Sequence, residues 1–181
     1  LVSSLTSVLP GHAPMKKCLI ALLLAMAPPA IADDEVPAHP QVLLETTEGN
    51  ILLELDGRRA PLTVAHFLNL VESGYYDGTI FHRVIPEFMI QGGGYNRDLK
   101  LQEAEGGIPN ESGNGLPNLR GTIAMAREEA PHSAMAQFFI NVADNKSLNP
   151  RSNRWGYAVF GYVIDGMSVV DKIVAMPTGP A

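Results

Sequence analysis

The segment FHRVIPEFMIQGG, residues 81–93, contains two short strand-like pieces on either side of a proline. Residues two apart in a strand share a face, so Arg83 is expected on the face of Phe81. By the same rule Met89 shares a face with Gln91. The pattern predicts a fixed cation and an amide beside an apolar slot. Because this segment has no nucleophile, carboxylate pair or metal cluster, the surface can bind and polarise a substrate without forming a covalent bond to it.

Working outward, hydrophobic periodicity predicts many short strands and two isolated helices. Apolar residues at positions 64, 67, 68 and 71 predict a helix over 61–73, with Pro61 in its first turn and Gly74 just past its end. A second helix, 167–173, is predicted to start from Asp165 as N-cap. The predicted strands are 42–47, 51–55, 80–84, 87–91, 122–126, 137–142 and 157–163. This pattern predicts a mainly β fold, a closed antiparallel barrel with helices over its open ends.

The N-terminal region has the features of a secretory signal peptide. Met15-Lys16-Lys17 precedes an apolar run and the small-residue site Ala30-Ile31-Ala32. We expect residues 1–14 to be an upstream extension outside the native protein, 15–32 to be the signal peptide and 33–40 to be a flexible lead-in. Residues 41–181 are expected to form one folded domain. Cleavage after Ala32 predicts a periplasmic protein without stable membrane association.

Composition excludes several classes of function. Cys18, the only cysteine of the 181 residues, lies inside the predicted signal, so the processed chain is expected to have no disulfide or thiol chemistry. That chain keeps 11 Lys and Arg against 19 Asp and Glu, a net charge of −8. An acidic chain of this kind argues against a nucleic-acid partner. His66, His82 and His132 share no metal-ligand spacing, so no metal and no cofactor are expected.

Four motifs in order resemble the cyclophilins, especially the short exported bacterial ones. They are residues 81–93, NLRGTIAMAR at 118–127, QFFIN at 137–141 and GYAVFG at 156–161. The resemblance implies an eight-stranded β-barrel capped by two helices. It also implies peptidyl-prolyl cis-trans isomerase activity (EC 5.2.1.8), proline-containing peptides and unfolded proteins as partners, and a monomeric state.

The resemblance also assigns roles to individual residues. Arg83 matches the family's catalytic arginine, and Gln91 matches the glutamine that orients the substrate and the arginine. Ala126 and Arg127 match the backbone edge that pairs with the peptide, Gln137 lines a neighbouring pocket, and Tyr157 stands where many eukaryotic members have a histidine. The matches to the proline pocket are Phe88, Met89, Phe138 and Leu148. Phe139 is assigned to the core, since it alternates with Phe138.

The chain departs from the family pattern at two places. Ser147 occupies a position where the family has tryptophan or phenylalanine, and Trp155 does not replace it by alignment. We therefore expect weak binding of cyclosporin-type ligands. The family also continues for roughly twenty further residues and ends in a strand beside the N-terminal one. Without that strand, an open sheet edge is expected.

The residue types alone leave other interpretations open. Without the resemblance, an arginine on a strand is usually a solvated charge, the aromatic residues are ordinary core and the glutamines are surface amides. A non-catalytic module that binds proline-containing segments is the alternative function. A hydrolase is disfavoured because no serine or cysteine nucleophile stands in a pattern with a base and an acid.

Overall fold

The computed structural model describes residues 2–8, 36–104 and 106–179. They form eight strands and two α-helices, with a short 3₁₀ turn at Lys146–Leu148. In chain order these elements are β1 (Val2–Val8), β2 (Gln41–Thr46), β3 (Gly49–Leu55), α1 (Pro61–Glu72), β4 (Arg83–Ile85), β5 (Met89–Gly92), β6 (Thr122–Met125), β7 (Phe138–Asn141), β8 (Val159–Asp165) and α2 (Met167–Val174).

The strands form one antiparallel sheet in the order β1-β2-β3-β8-β6-β7-β5-β4. The predicted mainly β fold with two helices is confirmed. Within the described ranges no pairing joins the two edge strands β1 and β4, so closure into a barrel stays a prediction. β1 pairs with the outer edge of β2. Whether residues 1–14 belong to the native protein stays a prediction as well.

The β2–β3 hairpin shows how alternation builds the core. Buried residues alternate with partly exposed ones along both strands, and Val42 lies opposite Leu53 in the register. The turn lies at residues 47–48, because Gly49 already pairs with Thr46. The Thr46 hydroxyl donates to the Gly49 carbonyl at 2.7 Å and so closes this turn.

Helix α1 buries the predicted apolar stripe against the sheet, with Val64 and Phe67 fully enclosed. Its first turn is capped from a distant part of the chain. The Glu111 carboxylate accepts hydrogen bonds from the backbone N–H groups of Leu62 and Thr63, at 3.2 and 2.8 Å. An acid at a helix N-terminus satisfies otherwise unpaired donors and complements the helix dipole.

Helix α2 begins differently from the prediction. Asp165 is the last residue of β8 and does not cap the helix; the N-cap is Gly166, with φ +88°. A Cβ at Gly166 would lie 2.3 Å from the Asn50 carbonyl oxygen, so glycine lets the strand end pass close to β3. Val170 and Ile173 then face the core, and Val169 packs against it partly buried.

The strands β5 to β8 are apolar on both faces and supply two separate clusters. The larger cluster lies under α1 and α2 and contains Ile90, Ile123 and Phe138. The smaller one, on the opposite face, is built on Met89, Ala124, Phe139 and Val159. Because successive residues of a strand point to opposite faces, neighbouring residues in sequence belong to different clusters.

The predicted signal peptide, 15–32, lies outside the described residues. Of the predicted lead-in, residues 36–40 are described, and they run beside the end of β3. The carbonyl of Pro40 accepts from the Leu55 N–H at 2.9 Å, and that of Ala38 accepts from Gly57 at 3.0 Å. None of the helices in the described ranges has the length and apolar character that crossing a bilayer requires.

Candidate active site

The smaller apolar cluster opens into a cavity of about 350 Å³. Met89 and Phe139 form part of its floor, at 2% and 4% exposure. The exposed Arg83 lies at the cavity from the adjacent edge strand. The lining residues are Arg83, Phe88, Met89, Gln91, Ala126, Arg127, Phe139, Leu148 and Tyr157. The structure thus brings most of the predicted site residues to one opening, in which an apolar floor adjoins a cation.

A chain of three side chains fixes the polar edge of this cavity. Arg83 and Gln91 are directly opposite in the β4–β5 register, and the Arg83 Nη1 donates to the Gln91 Oε1 at 3.3 Å. The Gln91 Nε2 donates in turn to the Gln137 Oε1 at 2.8 Å. This second bond orients the Gln91 amide with its oxygen toward the guanidinium. Among the described residues, the remaining N–H groups of Arg83 have no protein acceptor, so they can donate to a bound ligand.

The prediction for the two phenylalanines of β7 was reversed. Phe138 is fully buried in the larger cluster, with its ring centroid 5.6 Å from Phe67 and 5.5 Å from Tyr76. Phe139 lines the cavity and packs edge-on against Tyr157 at 5.7 Å. Their alternation was predicted correctly, but β7 is buried on both faces, so burial pattern alone could not say which phenylalanine faces which cluster.

Phe81 was also predicted wrongly to share the face of Arg83. Its ring packs against Phe138, at a centroid distance of 6.2 Å, in the larger cluster. β4 starts only at Arg83, so the period of two does not extend back to Phe81.

A second cavity of about 460 Å³ adjoins the first and shares Gln91, Ala126 and Arg127 with it. Gln137 lines this second cavity, where the sequence placed it. Ala126 lies between the two openings, but its N–H donates to the Gln137 carbonyl at 2.8 Å. That donor is therefore already occupied, and a peptide pairing along this edge must use other backbone groups.

The Arg127 side chain is held by the protein itself. Its guanidinium lies 4.9 Å from the centre of the Tyr157 ring, a cation–π contact. Its N–H groups donate to four backbone carbonyls, those of Glu128, Glu129, Trp155 and Gly156. Arg127 therefore ties the rim beside Tyr157 to the end of β6, and its charge is arranged very differently from that of Arg83.

Leu148 and Tyr157 form a wall of the first cavity. The Tyr157 N–H donates to the Leu148 carbonyl at 3.0 Å and joins the two residues. Gly156 makes this approach possible, since a Cβ there would lie 2.4 Å from the Pro150 nitrogen and 2.7 Å from the Leu148 oxygen. Ser147 is exposed, and neither it nor Trp155 lines either cavity. The weak cyclosporin binding expected from Ser147 stays a prediction.

His82 precedes Arg83 in sequence and is partly buried. Its ring packs against Tyr95 at 4.5 Å. Burial lowers the pKa of His82 below its ordinary value of 6.5, and the positive charge of Arg83 lowers it further, against opposing polar contacts with Ile80 and Gln137. Burial and the neighbouring cation thus both favour the neutral form of the imidazole.

Sequence analysis missed one set of residues beneath the cavity. Asn118, Asn141 and Asn145 are buried, and their side chains bond to one another. Asn118 begins one of the motifs quoted above and Asn141 ends another, which was the available signal. In the described part of the chain no group of His, Cys, Asp or Glu side chains could hold a metal ion.

Comparisons with known proteins identify the family. The model of the cyclophilin-type peptidyl-prolyl cis-trans isomerases matches residues 41–180. Peptidyl-prolyl cis-trans isomerase A of Dickeya dadantii is 55% identical over 137 residues, which cover 76% of this chain and 72% of that protein. Peptidyl-prolyl cis-trans isomerase B of Escherichia coli is 52% identical over 141 residues, covering 76% of this chain and 86% of the relative.

A solved structure agrees with these relatives. The cyclophilin-type isomerase of Cryptosporidium parvum, crystallised in the presence of the dipeptide Ala-Pro, superposes with a TM-score of 0.68 at 30% identity. The superposition covers 77% of this chain and 87% of that one. With the fold, the cavity and the relatives in agreement, this chain belongs to the cyclophilin-type peptidyl-prolyl cis-trans isomerases.

Proposed function

We propose that this protein accelerates rotation about X–Pro peptide bonds in proteins folding in the periplasm, and that Arg83 is its catalytic residue. The single observation that carries this proposal is the position of the Arg83 guanidinium, with unpaired donors, at the edge of an apolar cavity of about 350 Å³. Membership of the isomerase family gives the reaction, and the geometry suggests which groups perform it.

The reaction needs no covalent chemistry from the protein. The amide C–N bond resists rotation by about 18–20 kcal/mol because it is partly double. At the midpoint of the rotation the conjugation is lost, and the proline nitrogen carries a localised lone pair. A donor that reaches this nitrogen binds the twisted state better than either planar state, and such differential binding lowers the barrier.

Arg83 suits this task because arginine keeps its charge at every physiological pH and presents its donors in a rigid plane. Its bond to Gln91 holds the guanidinium in place and leaves other N–H groups available to a ligand in the cavity. The chain from Gln91 to Gln137 restricts the amide that holds Arg83. Gln91 therefore serves as a positioning residue that also borders the substrate.

The apolar floor supplies the second requirement, a place to hold the proline ring while the acyl side turns. Phe88, Met89 and Phe139, together with Leu148 of the wall, offer a surface of carbon and sulfur atoms against which the ring can pack. Excluding water from this surface lowers the local dielectric and strengthens the interaction of the ring nitrogen with Arg83.

The periplasmic location and the exported clients rest on the sequence of the N-terminal region. Processing after Ala32 in a bacterial expression host would support them, and mass spectrometry of the exported protein should then show Asp33 as the first residue. An unprocessed chain retained in the cytoplasm would contradict this part of the proposal without affecting the catalytic part.

The catalytic proposal predicts that Arg83→Ala lowers kcat/KM for an Ala-Pro peptide by roughly 10²–10³-fold, the loss seen when a well-placed donor is removed. Isomerisation is measured by NMR exchange on the full chain, which avoids a coupling protease. Arg97→Ala is the matched control, because Arg97 is an exposed arginine outside both cavities.

Equal losses in the two arginine variants would contradict a specific role for Arg83. A folded wild-type chain that binds the peptide with no acceleration of exchange would favour the alternative function, a binding module for proline-containing segments.

A further inference from the structure

We infer that the buried asparagines Asn141 and Asn145 are positioning residues of the isomerase, which set the spacing between the floor and the wall of the proline cavity. This inference rests on the proposed function and deepens it. Neither side chain lines the cavity, so their effect on a substrate must act through the residues that do.

The three asparagines are enclosed by the protein. Asn118 and Asn141 are fully buried and Asn145 is 8% exposed. Burying an unpaired amide is costly, so a group of three requires a complete set of partners. Each of the three side-chain NH₂ groups has partners: the Asn141 Nδ2 donates to the Asn118 Oδ1 at 3.2 Å and to the Thr122 hydroxyl at 2.9 Å. The Asn145 Nδ2 donates to the Asn141 Oδ1 at 2.7 Å.

The two ends of this chain of amides bond to the backbone of residues that line the cavity. The Asn145 Nδ2 also donates to the backbone carbonyl of Phe88 at 2.8 Å, so one end holds the turn that carries a floor residue. The Asn118 Nδ2 donates to the Tyr157 carbonyl at 3.3 Å, so the other end holds the wall.

Backbone hydrogen bonds of Asn145 connect Leu148, the other wall residue, to the same unit. The Leu148 N–H donates to the Asn145 carbonyl at 2.9 Å, and the Asn145 N–H donates to the Asn118 carbonyl at 2.8 Å. Phe88 is distant in sequence from Leu148 and Tyr157, which lie on either side of one loop. The same buried unit bonds to the backbone of all three.

The geometry has a direct consequence for catalysis. Short 3₁₀ turns and loops carry Leu148 and Tyr157, and few strand bonds fix their distance from β5. The amides supply that fixed distance. A shift of about 1 Å in a group that positions a substrate can cost roughly 10²-fold in rate. Loosening this unit should therefore lower kcat/KM more strongly than it lowers stability.

The test compares Asn145→Ala with Thr79→Ala in the full chain. Thr79 is also fully buried, and its hydroxyl donates to the Tyr76 carbonyl at 2.7 Å, away from the cavity. We expect Asn145→Ala to lower kcat/KM by roughly 10–100-fold, and to weaken the Kd of a proline peptide, at a temperature where both variants are folded. Thr79→Ala is expected to lower Tm with both parameters unchanged. Asn145→Ser, which keeps one donor, is expected to recover part of the loss and serves if the alanine variant does not fold.

A double-mutant cycle separates positioning from general destabilisation. If Asn145 acts through the wall, its effect on kcat/KM should shrink when Leu148 is already alanine, because contacting residues couple. Additive effects, an unchanged kcat/KM, or an equal loss in Thr79→Ala would each overturn the inference. Peptide affinity reports on positioning even if wild-type exchange is absent, so failure of the proposed function is distinguished from failure of this inference.

Discussion

The two faces of strands β5, β6 and β7 carry similar apolar residues, but one face is enclosed and the other borders an open cavity. On the inner face, Ile90, Ile123 and Phe138 are enclosed under α1 and α2. On the outer face, Met89 and Phe139 are covered only at their edges and border an open cavity. Composition does not distinguish the faces. The two faces differ in the neighbouring elements that cover them. The site is therefore a second apolar core that is only partly covered.

The incomplete cover is compensated by polar structure around its margin. The inner face needs no such support, because helices pack onto it. The outer face is bounded by the chain from Arg83 to Gln137, by the Arg127 side chain over Tyr157, and by buried amides beneath. The cost of leaving apolar surface open is offset by directional bonds that keep the opening in one shape.

Truncating each of the two adjacent phenylalanines of β7 tests this difference between the faces most directly. Phe138→Ala removes a ring packed against three other aromatic rings and should destabilise the protein by about 3–5 kcal/mol. Phe139→Ala opens onto space that already exists, so its loss of stability should be smaller. Its loss of kcat/KM should be at least roughly tenfold, because it removes part of the surface that holds the ring.

Denaturant unfolding and NMR exchange on the same two proteins measure both quantities. The comparison would fail if the stability order were inverted, or if Phe138→Ala lost as much kcat/KM as Phe139→Ala under conditions where both are folded.

The phenylalanine pair also shows how far sequence can go. The strands of this region, the helix α1 and the position of Arg83 at the site follow from local pattern and from motif resemblance. Assigning Phe138 or Phe139 to the site required knowing which face the helices cover, and that is a property of tertiary contacts many residues away. Periodicity of two yields the alternation but not its phase when both faces are apolar.

A finer test concerns the polar margin. Gly94→Ala places a Cβ 2.5 Å from Cγ of Gln137, which must move and so weaken its 2.8 Å bond to Gln91. Because a flexible side chain can yield, we expect a small change in Tm and a loss of kcat/KM of roughly threefold to tenfold, the size of one neutral hydrogen bond. Gly113→Ala is the control, since nothing lies within 4 Å of a Cβ there. Matching losses in the two variants would mean that the Gln137 side chain does not support Arg83.

The glutamine chain and the asparagine unit mark another limit of sequence analysis. Gln91 and Gln137 are 46 residues apart and meet only because β5 pairs with β7. Each amide by itself resembles an ordinary surface or strand residue. Their role depends on hydrogen bonds between segments that are distant in sequence. Helix α2 shows the same limit: Gly166 lies so close to Asn50 that only glycine fits, and Gly166 rather than the predicted Asp165 is the N-cap.

The smallest expected effect is a dependence of stability on pH that leaves kcat/KM unchanged. Burial lowers the pKa of His82 in the folded state below 6.5, so between its folded and unfolded pKa values the unfolded chain binds more protons. Stability therefore rises with pH through that window, and is lost as pH falls below about 6.5. Arg83 keeps its charge throughout, so kcat/KM of the folded protein should stay flat while Tm declines. His82→Gln should weaken the Tm dependence, whereas the same change at the exposed His39 should preserve it. A kcat/KM that follows the Tm curve in folded protein would show instead that protonation of His82 reaches the open face through Arg83, and the two faces would then be coupled.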